Sequence, residues 1–235
     1  MRLCAFILLS FVCIPAFCAA PSAQALPEFP LKPNDHVLWY GSSSTKIGVW
    51  PRTMEFLLRT RHPDLKLTFE REGVGGGTFT LALKEMDEIL DGLKPTVVLF
   101  NFGGNDATKG DKGVAAFKLA MKTAIEKVKK RNARPMLMTP QPGDERLAGK
   151  RNDNLEPYSE AMLAFAKEQN VPCIDTHHPL ELMFEAAVKD EPNYTINKDK
   201  IHLTDSGYVA WAYFLYEALH APVAESSVEL ARDGS

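Results

Sequence analysis

The chain has 235 residues, enough for one α/β domain but short for two, and its 45% hydrophobic and 24% charged content suits a globular protein with a full core. A formal net charge of −3, with no basic stripe to neutralise phosphates, excludes a general nucleic-acid binder. The basic run Lys127, Lys129, Lys130 and Arg131 closes a predicted helix, where cations complement the carbonyl end.

The first 25 residues read as a leader rather than as fold. Arg2 precedes an apolar run from Leu3 to Cys13, followed by Pro15 and the small residues ending Ala23-Gln24-Ala25. This is the three-part layout of a secretory signal, with cleavage expected after Ala25 and export to a periplasmic or extracellular space. The run is short for a membrane span and Pro15 interrupts it, so no stable insertion of the mature chain is expected. Three of the four cysteines (Cys4, Cys13, Cys18) fall in the leader, which leaves Cys173 with no partner for an intramolecular disulfide. Within Val171-Pro172-Cys173-Ile174 it reads as a buried apolar residue.

After a proline-containing lead-in from Leu26 to Asn34, Val37 to Tyr40 is the first predicted strand. It ends at Gly41 and the hydroxyl cluster Ser42-Ser43-Ser44-Thr45. A helix is expected from Thr45 to about Arg61, with Pro51 near its start. Leu65 to Glu70 alternates as a second strand, with Leu65, Leu67 and Phe69 on one face. The glycine run Gly73-Val74-Gly75-Gly76-Gly77-Thr78 leads into a helix marked by Leu81, Leu83, Met86, Ile89 and Leu90. Thr96 to Phe102 is an uninterrupted apolar strand, the kind covered on both faces of a parallel sheet, and it ends at Gly103-Gly104-Asn105-Asp106. A helix over Val114–Val128 and a strand over Pro135–Thr139 follow, then a polar loop over Gln141–Asn154 and a helix over Leu155–Gln169. Next come a strand over Val171–Asp175, a helix over Leu180–Val188, a loop over Asp190–Ile201 and a last helix over Asp205–His220. Residues from about Val223 to Ser235 read as a frayed polar tail, so the domain is expected over residues 26–222.

Strands alternating with helices at these lengths imply a doubly wound parallel sheet, which places ligands beyond the carboxyl ends of its strands. The serine cluster, the glycine run and the Gly-Gly-Asn-Asp turn follow the first three strands and therefore meet at one edge. An acyl-transfer site there needs a nucleophile, a histidine base, a carboxylate to orient the base, and oxyanion donors. Of six histidines, His62 and His220 read as solvated helix ends, and His36 lies at the opposite edge of the sheet. His177 and His178 follow the fifth strand on the right edge and form a secondary alternative. His202 is preferred, because in Asp199-Lys200-Ile201-His202 the three-residue offset lets the carboxylate reach the imidazole. The glycine run fails the dinucleotide fingerprint at Thr78, and the single Gly-Lys pair, Gly149-Lys150, is followed by Arg151 rather than Ser or Thr. Asn105 after two glycines is either a turn residue or a side-chain donor to an oxyanion.

Taken together, these blocks resemble the SGNH (GDSL-like) hydrolases from Val37 to about Leu219. Gly41-Ser42-Ser43-Ser44-Thr45 is similar to that family's Gly-Asp-Ser-(Leu/Ile)-Thr, Gly73–Thr78 to its Gly-x-x-Gly-Asp-Thr, and Gly103–Asp106 to its Gly-x-Asn-Asp. Asp199 and His202 meet its Asp-x-x-His. The resemblance implies a flavodoxin-like three-layer α/β/α sandwich with a five-stranded parallel sheet, and a secreted serine esterase with no metal or organic cofactor. In that reading Ser43, Asp199 and His202 are catalytic, while Ser43, Gly76 and Asn105 supply the oxyanion hole. Two departures stand out: Ser42 and Gly77 replace the family's aspartates, which weakens the expected pinning of the nucleophile turn. Asp144, Glu145, Arg146, Lys150, Arg151 and Asp153 give the Gln141–Asn154 loop a polar rim. Such a rim suits a small-molecule or glycan ester, with a short acyl group on a sugar or polar alcohol. The alternatives are an O-acetyltransferase using the same site and a glycan-binding protein that has lost turnover.

Overall fold

The computed structural model describes residues 29–148 and 151–219. The expected leader, the expected tail and His220 lie outside the described residues.

Two cores explain the architecture. Strand β1 (His36–Gly41) is buried on both faces, and its side chains alternate between them. Val37 and Trp39 join one cluster, while Leu38 and Tyr40 join another. The same period of two divides β3 (Val97–Asn101), which sends Val97 and Leu99 one way and Val98 and Phe100 the other. β2 (Thr68–Gly73), β4 (Arg134–Met138) and the two-residue β5 (Cys173–Ile174) complete a parallel sheet of order β2-β1-β3-β4-β5. This is the flavodoxin-like order, with helices on both faces. One face is covered by α2 (Val49–Arg61), α8 (His177–Asp190) and α9 (Asp205–Ala218). The other is covered by α3 (Phe79–Ala82), α4 (Met86–Leu93), α5 (Val114–Lys130) and α7 (Arg151–Gln169).

Several boundaries differ from those expected, including β5, shorter than Val171–Asp175, and α8, which starts at His177 rather than Leu180. The helix predicted from Thr45 to Arg61 is split into α1 (Ser43–Ile47) and α2 by Gly48, whose φ of 88° is left-handed. Arg71 of β2 donates to the carbonyl oxygens of Lys46 at 2.9 Å and Thr45 at 3.3 Å, which satisfies the end of α1 from the side. Next, β2 starts three residues later than its alternation suggests, because Pro63–Leu65 forms a 3-10 turn. The register that pairs Gly41 with Gly73 then brings both strand ends level. The predicted helix after the glycine run divides into α3 and α4, with the buried Tyr40 hydroxyl donating to the Ala82 carbonyl at 2.8 Å. Finally, the polar loop holds a short α6 (Glu145–Ala148), and α7 begins at Arg151 rather than Leu155, with Pro157 inside it. His62 is also not solvated. It is 6% exposed, its Nε2 meets the Tyr216 hydroxyl at 2.9 Å, and burial lowers its pKa.

The tightest backbone approach lies at the end of β1. A Cβ on Gly41 would sit 2.2 Å from Thr45 Oγ1 and 2.7 Å from the Asn101 carbonyl oxygen. Gly41→Ala is therefore expected to cost about 1–3 kcal/mol. In urea unfolding this appears as a lower midpoint at an unchanged slope.

Candidate active site

Three adjacent serines leave β1, and the fold gives each a different task. Ser44 is 2% exposed and its Oγ accepts from Gln141 Nε2 at 2.9 Å and lies 3.3 Å from the Tyr208 hydroxyl. Ser42 is the residue before α1, its backbone N–H donating to the Asn101 carbonyl at 3.0 Å. Its side chain makes no cap to α1. Ser43, the first residue of α1, is half-buried and faces the rim. The break at Gly48 leaves α1 only five residues long, so the helix dipole expected at this serine comes from little more than one turn.

The partner arrives from the loop before α9. His202 Nε2 lies 2.9 Å from Ser43 Oγ, and His202 Nδ1 lies 3.0 Å from Asp199 Oδ2. Asp199 Oδ1 accepts from the backbone N–H groups of Ile201 and His202, both at 2.7 Å. Burial raises the Asp199 pKa, but these N–H groups and the imidazole outweigh it and hold the carboxyl at about 2. With Nδ1–H directed at an ionised carboxylate, the Nε2 lone pair faces the serine hydroxyl. The turn itself is braced: Lys198 N donates to the His202 carbonyl at 2.8 Å, and Asn197 and Leu203 form an antiparallel bridge. Asp144 N donates to Asn197 Oδ1 at 3.1 Å, tying the β4 loop to this turn.

The glycine run makes a tight turn, with Gly77 N donating to the Val74 carbonyl at 2.9 Å and Gly76 at φ 67°. Among the described residues the Gly76 N–H has no hydrogen-bond partner. Asn105 Nδ2 donates to the Gly77 carbonyl at 2.9 Å, which fixes the amide's orientation because a carbonyl only accepts. One amide hydrogen remains for a ligand. Gly77 is now explicable: a Cβ there would lie 2.8 Å from the Val74 carbonyl oxygen, so this turn has no room for an aspartate side chain.

Four residues that build this rim have no assigned role in the sequence reading. Asp106 is 5% exposed and accepts from Gly103 N at 3.1 Å and Phe79 N at 3.3 Å, joining the Asn105 turn to the start of α3. Burial raises its pKa to about 6. Gln141 and Tyr208 fix the serine turn through Ser44. Their only sequence signal is their place after β4 and at the head of α9. Arg151 was noted merely as loop charge, yet the earlier start of α7 sets it in a cleft lined by Ser43, Gly104, Asn105 and Gln141. Burial lowers its pKa while Asp199 opposes that. An arginine remains cationic at neutral pH even so.

The remaining histidines stand apart. His36 Nδ1 pairs with Thr68 Oγ1 at 2.8 Å at the amino end of β1. His178 is bonded at Nδ1 to Asp175 at 2.7 Å and at Nε2 to Glu156 at 3.1 Å, and His177 is fully buried beside it. Neither contacts a serine among the described residues. Cys173 is half-buried against the sheet, and burial together with Asp175 raises its thiol pKa, which is unsuited to a nucleophile.

Solved structures share this architecture. An acetylxylan esterase from Geobacillus stearothermophilus aligns with a TM-score of 0.70 at 17% identity, over 83% of this chain and 99% of its own. A second acetyl xylan esterase aligns with a TM-score of 0.66 at 21% identity, over 78% and 98%. A gut microbial diltiazem-metabolizing enzyme aligns with a TM-score of 0.66 at 22% identity, over 81% of this chain but 48% of its own. No curated protein sequence matches the chain. Likeness at these identities speaks for the fold alone. Residues 39–210, which carry the end of β1, all three turns and the Asp199–His202 loop, match the GDSL-like lipase/acylhydrolase family. The chain belongs to that family of carboxylic ester hydrolases.

Proposed function

We propose that this protein is an exported serine esterase that removes short acyl groups from a carbohydrate or another polar alcohol. The observation that carries the reading is the unbroken hydrogen-bonded relay Asp199–His202–Ser43, at 3.0 and 2.9 Å. Ser43 Oγ attacks the ester carbonyl carbon as its proton passes to His202 Nε2. Asp199, ionised at neutral pH, stabilises the imidazolium. The negative charge on the former carbonyl oxygen is received by the backbone N–H groups of Ser43 and Gly76 and by the second Asn105 amide hydrogen. His202 then gives its proton to the departing alkoxide, which leaves as the alcohol. Water attacks the acyl-Ser43 ester by the same route, delivering its proton to His202, and the acid leaves as Ser43 recovers its hydrogen. All steps are served by side chains and backbone groups of this chain.

Two features favour a polar alcohol. The cleft beside Ser43 is lined by Gln141, Asn105 and the Arg151 guanidinium, with Ile201 and Phe102 as apolar members. The structural neighbours named above include two acetylxylan esterases, which agrees with a short acyl group on a sugar. Export rests on the sequence of residues 1–25. Rates on aryl acetate, butyrate and octanoate, beside deacetylation of acetylated xylan fragments, test the substrate class. The short esters and the acetylated sugar are expected to be turned over best. A preference for octanoate would contradict the reading, and acyl transfer to added sugar in preference to water would favour the acetyltransferase alternative.

Two mutations test the roles. Asn105→Ala is expected to lower kcat by about a hundred- to a thousand-fold, as for loss of one oxyanion donor, with a smaller change in KM. Asp199→Asn should lower kcat/KM at neutral pH by about a hundred- to ten-thousand-fold. Its folded pKa of about 2 lies below the unfolded value of about 3.9, so this carboxylate stabilises the fold above pH 4. That contribution disappears as pH falls from about 4 to about 2. Denaturation of wild type and Asp199→Asn over this range should show their stability difference closing toward the acid end.

A further inference from the structure

A second constellation lies behind the wall of the cleft, where α7 meets α8. Glu156 and Glu160 are four residues apart on α7 and so share a face, while His177 and His178 open α8. Ligand atoms of Glu156, Glu160 and His178 all lie within 4.8 Å of one another. We propose that these four side chains bind one divalent transition-metal ion, zinc first, which pins the start of α7 to α8.

The tautomers argue for it. His177 Nδ1 faces the Pro140 carbonyl at 3.3 Å, and a carbonyl only accepts, so the ring hydrogen sits on Nδ1. His177 Nε2 then presents a lone pair. The residue is 0% exposed and this nitrogen has no hydrogen-bond partner, yet it points at Glu156 Oε2 at 3.4 Å. A bare imidazole lone pair facing the half-exposed Glu156 carboxylate sets two acceptors against each other, which a cation between them would relieve. His178 differs in that both its nitrogens meet carboxylates, Nδ1 on Asp175 at 2.7 Å and Nε2 on Glu156 at 3.1 Å, so its Nε2 gives up any hydrogen when an ion takes that place. An imidazole whose outer nitrogen is fixed by a carboxylate or carbonyl while the inner one faces the ion is the usual support for a histidine ligand.

The spacing agrees. Four ligands placed tetrahedrally at about 2.0–2.1 Å from zinc lie about 3.3 Å from each other. Here His178 Nε2 is 3.1 Å from Glu156 Oε2 and 3.6 Å from Glu160 Oε1, while His177 Nε2 is 3.4 Å from Glu156 Oε2. Two nitrogens and two carboxylate oxygens form a borderline donor set, which suits zinc better than calcium or magnesium. The site adds no step to ester cleavage. It holds the segment that sets Arg151 and Asn152 in place, since Asn152 Nδ2 also donates to Glu181 Oε1 of α8 at 2.9 Å.

Chelator-treated full-length protein titrated with zinc chloride in a calorimeter tests the proposal. Wild type is expected to bind one ion per chain with micromolar or tighter affinity, and saturating zinc should raise its Tm by about 5 °C. The Glu156→Gln/Glu160→Gln double variant changes side chains that are 45% and 63% exposed, so its fold is not at risk. It should lose both effects while keeping its rate on an aryl acetate. An X-ray absorption spectrum of the loaded wild type should show imidazole scattering. The absence of a one-ion site, equal affinity and Tm shift in the double variant, or an all-oxygen shell would each overturn the proposal.

Discussion

The hydrogen bond between His202 Nε2 and Ser43 Oγ joins residues 159 apart in the chain, and the structure depends on keeping them within 2.9 Å. One partner follows β1 and the other sits on a loop before the last helix. Their meeting is arranged by the sheet, because every parallel strand delivers its following turn to the same edge. Packing then fixes the distance. Trp50 of α2 and Trp211 of α9 lie with ring centroids 5.5 Å apart, so the helix after the serine rests on the helix after the histidine. The Tyr208 hydroxyl near Ser44 makes a second tie, from α9 to α1.

Around that bond, polar groups are held from behind by groups that do no chemistry. Asp199 accepts two backbone N–H bonds before it meets the imidazole. Asn105 is oriented by the Gly77 carbonyl, and the turn carrying Asn105 is fastened to α3 by Asp106. Such preorganisation is what lets fixed dipoles stabilise a developing charge without rearranging when it appears. It also accounts for the two departures from the family pattern. Gly77 permits a close turn that a side chain would block, and Ser42 lies where β1 is already tied by its N–H to Asn101.

Much of this was legible in the sequence where one local pattern decides the outcome. The apolar run ending in β3 reads as a strand buried on both sides, and the order of glycine, serine and Asp-x-x-His blocks points to one rim. The roles of Ser42, Ser43 and Ser44 are different in kind. The motif resemblance singles out Ser43, but the separate surroundings of the three come from Gln141, Tyr208 and His202, in distant segments. The break at Gly48 is not anticipated in the expected Thr45–Arg61 helix, and the capping of α1 by Arg71 depends on the register of β2. Polar residues hide the first turn of α7, which tertiary contacts stabilise, and Arg151 with it; Glu156 falls inside the expected helix, but its meeting with His178 is written in neither segment alone. Local periodicity does not report contacts across 22 residues between two helices.

The central claim is that one serine of three is activated. It is tested most directly by reacting the protein with a fluorophosphonate and locating the adduct by peptide mass spectrometry. The account predicts one phosphonyl group per chain, on Ser43, and none on a Ser43→Ala protein that unfolds like wild type. A wild-type protein that stays unlabelled, or an adduct on Ser42, Ser44 or Cys173, would contradict it.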